Sequence, residues 1–550
     1  MPLIHPSLAR RVTVVVAIVV LALACALPWL RNRDRLHDLM DYAVVMSAVG
    51  RIDAGEKPYV DFVTPAQAGY LHFNRLVEKA AGSTYLGLTY GGIGLVVIGT
   101  CVLGGILCRR WPLFPALAVA GTIIASTASQ HTILWYNASG AVYLAVAAWS
   151  AAIAPRLERR HAGWHTLLAL SLLIGGLNKI NFQLVALGAV ACFILREALL
   201  HSDTRQRALG LGVFALFFGL VLPSGLELML TGASLHEWFH NVLGIAGPGR
   251  AAYLGLIATW KFYVAPPHDY YGPLLIPQVG AVVVAGFAAT LIWGWRGRPN
   301  LDRVLLAIAT TGFTLAALAL LATNIEIAYV GLGSGVALAT ALALGFELRP
   351  RPRLTGLLHV LPVLLIGTAA GWSAWQGQRS LFGRPSIARS SYVSPGGSFL
   401  KFRYIAGVKI PPELAASLVD LAEHLPSPRA DGTYPVYFTS GLEWLDRIWQ
   451  PVRIAGLPLW FHHGTSAGER EGRVLVRALT HPELLRRVYA TVPWDTRTPE
   501  IDRVLLDQSD PPSMHGTFIR SYRLRTNQSV PRDVFHRLLD LGANFDPDLL

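Results

Sequence analysis

Residues 12–30 read VTVVVAIVVLALACALPWL, an uninterrupted apolar run that directly follows Arg10 and Arg11. A run of about 20 apolar residues is long enough to cross the hydrocarbon core of a bilayer as an α-helix. A secretory signal is the alternative, but the run has no convincing small-residue cleavage site and its Pro-Trp-Leu end suits the membrane interface. We therefore predict an uncleaved first membrane span.

Apolar runs of this kind recur along the chain. The 550 residues are 53% hydrophobic and only 15% charged, with a mean hydropathy of +0.43, whereas soluble domains carry about 25% charged residues. This composition indicates an integral membrane protein with room for one soluble domain. We predict about eleven transmembrane helices, at 12–30, 85–107, 113–130, 139–154, 165–178, 181–196, 208–230, 274–295, 303–323, 326–347 and 355–375.

The basic residues predict how the chain is oriented. The net charge is +13, and the arginines form short clusters between apolar runs, which is the pattern of cytoplasmic loops. A nucleic-acid surface is the disfavoured alternative. The arginine clusters lie on one side of the membrane, and loops 31–84, 131–138 and 231–273 lie on the other. This alternation requires two short helices that meet near Lys179. We predict a multi-pass protein of the inner (plasma) membrane with a cytoplasmic N-terminus and an extracytoplasmic C-terminus.

The composition changes after residue 375. Residues 376–550 mix charged and apolar segments as globular domains do, which predicts a small α/β extracytoplasmic domain. Within it we expect a helix from Pro412 to about Leu425, because proline suits a first helical turn. Further expectations are a strand at 436–438, a helix at 441–449, a helix at 482–488 and a strand at 518–524.

The first outer loop, 31–84, holds the residues of greatest chemical interest. Asp38 and Asp41 precede a stretch, Tyr42–Ile52, in which apolar residues recur near helical spacing, so we expect a helix lying in the membrane interface. The two acids lie three residues apart, on one face of its first turn. Acids there also complement the helix dipole, so the spacing alone leaves a capping role and a catalytic role equally open.

Beyond the acids, the loop resembles a known pattern. The order of an acid, a helix with a small residue, a glycine and then Pro-Tyr-x-Asp-Phe is similar to the first outer loop of GT-C-type membrane glycosyltransferases, which transfer sugars from polyprenyl-phosphate carriers. The multi-span body and the outer C-terminal domain agree with that family. The residues that carry the resemblance are Asp41, Ala48, Gly55, Pro58, Tyr59, Asp61 and Phe62.

The resemblance implies a catalytic role for Asp41, with Asp38 as the second candidate. A positioned carboxylate can take the proton of an acceptor hydroxyl as the bond to the sugar forms. One carboxylate suffices for inversion, whereas retention would need a second one as nucleophile. Family members often carry another acid in the next outer loop, which here has none, and this argues against a metal held by paired loop acids. A divalent metal stays open as a cofactor, with no ligand set assigned.

The resemblance also implies substrate-binding residues. Lys179, which lies within a long apolar stretch, would contact the phosphate of the lipid carrier; a lysine extending from a helix end to the interface is the alternative. Tyr59 and Asp61 would contact substrate as members of the loop pattern. Further candidates in the outer loops are His131, Asn137, Arg250, Lys261 and His268, and these polar and aromatic loops would equally suit an interfacial belt.

Together these features predict a membrane glycosyltransferase with a GT-C-like catalytic domain at 1–375 and an outer domain at 376–550. Its partners would be a polyprenyl-phosphate-linked sugar, an envelope lipid, glycan or protein acceptor, and the membrane, with no nucleic acid. A secondary transporter or flippase of lipid-linked saccharide is the alternative, and a lipid-glycan ligase or polymerase is a third possibility. Glu227, near the outer end of its span, is expected to orient a basic residue or to carry protons.

Overall fold

The structure is a computed structural model that falls into two compact units. Unit 1 comprises Met1–Asn32, Thr89–Leu226 and Tyr253–Gln378, and unit 2 comprises Arg33–Leu88, Glu227–Ala252 and Arg379–Leu550. The first outer loop therefore groups with the C-terminal segment, whereas the predicted domain division placed it with residues 1–375. The described residues are 8–36, 39–109, 112–127, 132–153, 162–200, 205–244, parts of 361–375, most of 389–459, and 486–490, 511, 513–516 and 519–523.

Helices dominate the part of the chain that the structure describes, as predicted. The apolar helices begin and end close to the ends of the predicted spans. A further apolar helical stretch occupies Val363–Trp372. The numbered helices are α1 (Leu8–Asn32), α2 (Leu39–Asp53), α3 (Ala68–Ala80), α4 (Tyr85–Cys108), α5 (Leu113–Thr127), α6 (Tyr136–Ile153), α7 (Ala162–Asn178), α8 (Ile180–Leu200), α9 (Arg205–Leu216), α10 (Leu222–Thr231), α11 (Leu235–Phe239) and α12 (Pro412–His424).

Three of the helical segments that the structure describes are long and apolar enough to cross a membrane. They are Leu8–Asn32, Tyr85–Cys108 and Arg205–Thr231. Helices α5 to α8 coincide with four further predicted spans, and α7 and α8 meet at Lys179 as expected. The predicted spans 274–295, 303–323 and 326–347 lie outside the described residues, so the count of eleven stays a prediction.

The core of unit 1 is an apolar cluster in which α6 packs against both α7 and α8. Small residues let the helices approach closely, as is usual between membrane helices. At Gly92 of α4 the approach is closest, because an added Cβ would overlap the ring of Trp29, which is itself buried at the end of α1. On the same helix, Gly94 has no neighbour within 4 Å of such an atom.

A π-helical segment, Phe217–Val221, interrupts the third long span between α9 and α10. Its cause lies in Pro223, which has no N–H to donate to the carbonyl of Gly219 four residues earlier. The Gln183 side chain of α8 donates to that carbonyl instead, at 2.7 Å. Gly176 of α7 makes room for the proline, because a Cβ there would lie 2.5 Å from the Pro223 ring.

Unit 2 joins the first outer loop to the C-terminal segment. Helix α2 packs against α3 and against the 3₁₀ helix Glu443–Arg447, where a helix at 441–449 was expected. Isolated β-bridges add to the contact, at Arg35 with Lys409 and at Val63 with Pro458.

The C-terminal part of unit 2 contains a four-stranded sheet. The strands are β1 (Val436–Thr439), β2 (Arg486–Ala490), β3 (Ser513–His515) and β4 (Ile519–Arg523), in the order β1-β2-β4-β3. Only β1 and β2 are parallel, and the other pairs are antiparallel. The structure thus has the expected strands at 436–438 and 518–524 and the expected helix at Pro412. The helix expected at 482–488 is wrong for residues 486–488, which belong to β2 between two partner strands, and residues 482–485 lie outside the described residues.

The packing of α4 on Trp29 is testable by adding one methyl group. We expect Gly92→Ala to destabilise the protein by about 1–3 kcal/mol, the usual effect of overpacking a filled core, and to lower the Tm in detergent. The matched variant Gly94→Ala should leave Tm unchanged or raise it slightly, since alanine favours helices. Equal Tm values for the two variants would contradict this packing.

Candidate functional site

One of the two predicted catalytic acids, Asp41, lies in the first turn of α2. Asp38 is outside the described residues. Asp41 belongs to the first turn of α2 by its backbone, and its side chain is outside the described part. The catalytic roles of both residues therefore stay predictions, while the helix expected over 42–52 is present.

Helix α2 is enclosed by protein along most of its length. Every residue from Tyr42 to Val49 is buried, and the Tyr42 ring lies 6.4 Å from that of Tyr85. A helix that is apolar and buried on all sides belongs to a core rather than to an interface. The expected exposure of this helix at an interface is thus wrong for Tyr42–Val49.

The loop after α2 turns tightly and is closed by its own polar groups. Gly55 has φ = 90° and Tyr59 has φ = 70°, a left-handed conformation that is uncommon and costly for a tyrosine. The Asp61 carboxylate accepts a hydrogen bond from the backbone N–H of Lys57 at 2.7 Å, and the Tyr59 N–H donates to the carbonyl of Phe62 at 2.9 Å. The Pro-Tyr-x-Asp-Phe pattern therefore forms a single closed turn.

Glu227 holds this turn to the beginning of α3. Its carboxylate accepts hydrogen bonds from the Tyr59 hydroxyl at 2.6 Å, from the Gly69 N–H at 2.6 Å and from the Ala68 N–H at 3.1 Å. An anion at a helix N-terminus is favoured by the free N–H groups and the dipole. Burial, followed by the Glu227 charge, raises the pKa of Tyr59, so its hydroxyl stays a donor.

Tyr59 was predicted to contact substrate, and the structure places it inside the protein. Its side chain is 3% exposed and its hydroxyl also accepts from the Ala68 N–H at 2.8 Å. Glu227, expected to orient a basic residue or carry protons, instead caps α3. Asp61 is half-buried, and its carboxylate closes the turn. Substrate contacts by Tyr59 and Asp61 remain predictions.

A second set of buried charges fastens the C-terminal 3₁₀ helix to α2 and α3. Arg447 forms an ion pair with Glu78 of α3, and its other terminal nitrogen lies 3.4 Å from Asp53. The Tyr404 hydroxyl donates to Glu78 at 2.9 Å. Gly50 of α2 leaves space for the Arg447 side chain, because a Cβ at this position would lie 2.6 Å from it.

Burial decides the protonation of the acids in this region. Glu78 is fully buried, and burial raises its pKa to about 7, although Arg447 and Tyr404 pull in the opposite direction. Burial likewise raises the pKa of Asp446 to about 6, against the lowering effect of Arg453 and Arg51. Both acids therefore ionise closer to neutral pH than ordinary carboxyl groups do.

Lys179 lies in unit 1, at the break between α7 and α8. It is buried, donates to the amide oxygen of Asn137, and its ammonium lies 4.1 Å above the centre of the Tyr136 ring. Asn178 reinforces the break, because its side chain donates to the Tyr136 carbonyl at 2.6 Å and accepts from Ser139 at 2.7 Å. The beginning of α6 is thus bound to the α7–α8 junction by side-chain hydrogen bonds.

Of the other predicted substrate-binding residues, the structure describes Asn137. It is 1% exposed and its amide oxygen accepts from Lys179, so it positions that ammonium. The rest lie outside the described residues, namely His131, Arg250, Lys261 and His268. Glu78, Tyr404 and Arg447 were missed by the sequence reasoning. The only signal of Glu78 and Arg447 was a charge within otherwise amphipathic segments, and the neutral Tyr404 gave none.

No protein-family model matches the chain, and no curated protein matches it. Among solved structures, the chain is similar to the archaeal oligosaccharyltransferase AglB from Archaeoglobus fulgidus, in complex with an inhibitory peptide and a dolichol-phosphate. The identity is 13%, the match covers 90% of this chain and 71% of that one, and the TM-score is 0.44.

It is also similar to ArnT from Cupriavidus metallidurans bound to undecaprenyl phosphate, with 11% identity, coverage of 94% of this chain and 98% of that one, and a TM-score of 0.45. At such TM-scores neither likeness carries an argument about this chain. The chemistry proposed below is therefore argued from its own residues.

The raised pKa of Glu78 predicts how stability depends on pH. In the unfolded chain the carboxyl has its ordinary pKa of 4.5, against about 7 in the folded protein. As pH rises between these values the unfolded chain loses the proton first, so stability falls over that window and levels off above it. We expect Tm to fall from pH 5 to 8, and to fall less in Glu78→Gln, which removes the titrating group.

Asp446 should also lower Tm as pH rises, since its raised pKa acts in the same direction at lower pH. Glu413→Gln, a change at an exposed acid of α12, should keep the wild-type profile. If Glu78→Gln retained the full wild-type slope between pH 6 and 8, the assignment to Glu78 would be wrong.

Proposed function

We propose that the protein is a membrane glycosyltransferase that moves a sugar from a polyprenyl-phosphate donor to an envelope lipid, glycan or protein acceptor. The reaction takes place at the outer face of the membrane and inverts the anomeric carbon, with Asp41 as the general base. The observation that supports the proposal is the first-loop pattern. It folds as one continuous segment, from α2 with Asp41 in its first turn to the closed turn at Tyr59–Phe62.

The chemistry explains why such a loop would be rigid. An acceptor hydroxyl is a weak nucleophile, and a carboxylate removes its proton efficiently only when it is held at hydrogen-bonding distance. A base on the first turn of a buried helix has little freedom to move away. The hydrogen bonds of Asp61 and Glu227 then fix the turn that follows α2 in the same loop.

Lys179 would stabilise the phosphate that departs from the sugar. A buried ammonium favours an anion strongly because little water screens it. The Asn137 amide and the Tyr136 ring hold it at the start of α6, where the helix dipole also favours negative charge. No step is assigned to a divalent metal, because the side chains of Asp38 and Asp41 are not described.

The donor is proposed to be lipid-linked for two reasons. The sequence contains no Gly-rich phosphate-binding loop of the P-loop type, and nucleotide sugars are not available on the outer face. In the proposed topology the N-terminus is cytoplasmic, and residues 1–375 form the catalytic membrane domain beneath an outer domain at 376–550. A lipid donor would enter sideways between spans, while the acceptor would reach Asp41 from the outer face.

Replacing Asp41 tests the proposal directly. We expect Asp41→Asn to lower kcat by roughly 10²–10⁴-fold, the usual contribution of a general base, with unchanged folding and donor binding. The assay uses purified protein and labelled polyprenyl-phosphate sugars. Glu413→Gln, which also changes an acid in the first turn of a helix, is the matched control and should retain full activity.

A transporter would respond differently to the same change. If Asp41 only complements the dipole of α2, its replacement should cost a few tenths to about 1 kcal/mol of stability and leave turnover intact. Wild-type turnover in Asp41→Asn would therefore remove Asp41 from the mechanism, and vesicle transport of a lipid-linked saccharide by that variant would favour the alternative function.

The role of Lys179 is tested through the donor. We expect Lys179→Met to raise the KM for the lipid-phosphate donor by roughly 10–100-fold, as expected for losing a charged hydrogen bond, and to leave the acceptor KM unchanged. Lys179→Arg should recover part of the loss. Lys409→Met, at an exposed lysine paired with Asp34, is the control, and an unchanged donor KM in Lys179→Met would exclude the phosphate contact.

A further inference from the structure

A cluster of metal-binding side chains lies in the C-terminal part of unit 2, between α12 and the β3–β4 hairpin. Asp420 and His424 are one turn apart on α12, and His515 ends β3. Each of the three residues offers one potential ligand atom, and these three atoms lie within 4.8 Å of one another. We propose that this cluster binds a divalent transition metal ion, with Zn²⁺ as its best fit, and joins the helix to the hairpin.

Two of the three separations fall within the range of ligands around one ion, and an ion would replace the present contact of His424 Nδ1 with the Asp420 carbonyl oxygen at 2.8 Å. Asp420 Oδ1 lies 2.9 Å from His424 Nδ1, and Asp420 Oδ2 lies 3.9 Å from His515 Nδ1. Two ligands each about 2.1 Å from an ion are at most about 4.2 Å apart. Small rotations of the partly exposed Asp420 and His424 side chains therefore suffice to close the site around an ion.

The surroundings orient His515 and one carboxylate oxygen of Asp420. The Nε2 atom of His515 lies 2.7 Å from Ser521 Oγ on the neighbouring strand, which directs Nδ1 towards Asp420. The Gly516 N–H donates to Asp420 Oδ2 at 2.8 Å. Hydrogen bonds of this kind, from the unused nitrogen of a histidine and to a ligating carboxylate, are the usual supports of metal ligands.

Local backbone geometry brings the hairpin against the helix. Gly516 follows His515 directly and has φ = 57°, a conformation that favours glycine. A Cβ at this position would lie 2.7 Å from the Ser417 hydroxyl of α12. Glycine is thus required both for the turn and for the close approach, and this approach places His515 beside Asp420 although they are far apart in sequence.

The ligand types select the class of metal. Two imidazoles with one carboxylate suit Zn²⁺ and related first-row ions, whereas Ca²⁺ and Mg²⁺ prefer sets made of oxygens. His515 is 1% exposed, while the side chains of Asp420 and His424 are 33% and 58% exposed, so an ion can enter from the His424 side. The remaining coordination position would be filled by water.

The competing explanation needs no metal. Asp420 and His424 at a spacing of four residues form an ordinary helical ion pair, and His515 and Ser521 form a hydrogen bond across the hairpin. In that case any Zn²⁺ binding would be weak, and it would not depend on Ser521. The two explanations therefore differ in affinity and in which substitutions matter.

The experiment is a Zn²⁺ titration of the full chain, purified in detergent without a histidine tag and stripped with chelator. We expect stoichiometric binding, a rise in Tm on adding Zn²⁺, and visible d–d absorption when Co²⁺ replaces it. Asp420→Asn and His424→Ala should each weaken Zn²⁺ binding at least about tenfold, and Ser521→Ala should weaken it by roughly 10–100-fold, although serine is not a ligand.

The variants are chosen to stay folded. Asp420→Asn keeps an oxygen for the Gly516 N–H, and His424 is exposed, so both should match the wild-type Tm in the presence of chelator. His236→Ala, at an exposed histidine of α11 spaced four residues from His240, is the control and should bind as the wild type does. Absence of stoichiometric Zn²⁺ binding, or undiminished binding in Asp420→Asn and His424→Ala, would overturn the proposal.

Discussion

The carboxylate of Glu227 accepts hydrogen bonds from Tyr59, Ala68 and Gly69 at the point where the turn after α2 meets the beginning of α3. A carboxylate removed from water is strongly destabilising unless its oxygens are paired, so this contact permits few other arrangements of the loop. It offsets the unfavourable left-handed conformation of Tyr59 and fixes where α3 starts. Because α2 packs against α3, the position of the helix that carries Asp41 depends on it as well.

The same principle recurs at several other buried polar groups in the described residues. Arg447 joins the C-terminal 3₁₀ helix to Glu78, and Gln183 binds the carbonyl that Pro223 leaves without a donor. Lys179 and Asn137 bind each other at the start of α6. Buried polar pairs of this kind contribute little net stability but restrict the chain to one arrangement, which is what a positioned base and a positioned cation require.

Much of the helical part could be predicted because the signal is local. Long apolar runs specify the helices of unit 1, and the break at Lys179 followed from the charge pattern of the neighbouring loops. Residues 486–488 were misread because the pattern around them also suits a helix, while β1 and β4 on either side impose a strand. Partners far apart in the sequence, such as Glu78 with Arg447 or Asp420 with His515, leave no local signal.

The central claim is that one carboxylate, fixed by a rigid outer loop, drives a single displacement at the anomeric carbon of a lipid-linked sugar. The anomeric configuration of the product is its most direct test. Purified wild-type protein, given a polyprenyl-phosphate sugar of known anomeric configuration and a suitable acceptor, should give a product of the opposite configuration. A product that retains the configuration of the donor would contradict the claim.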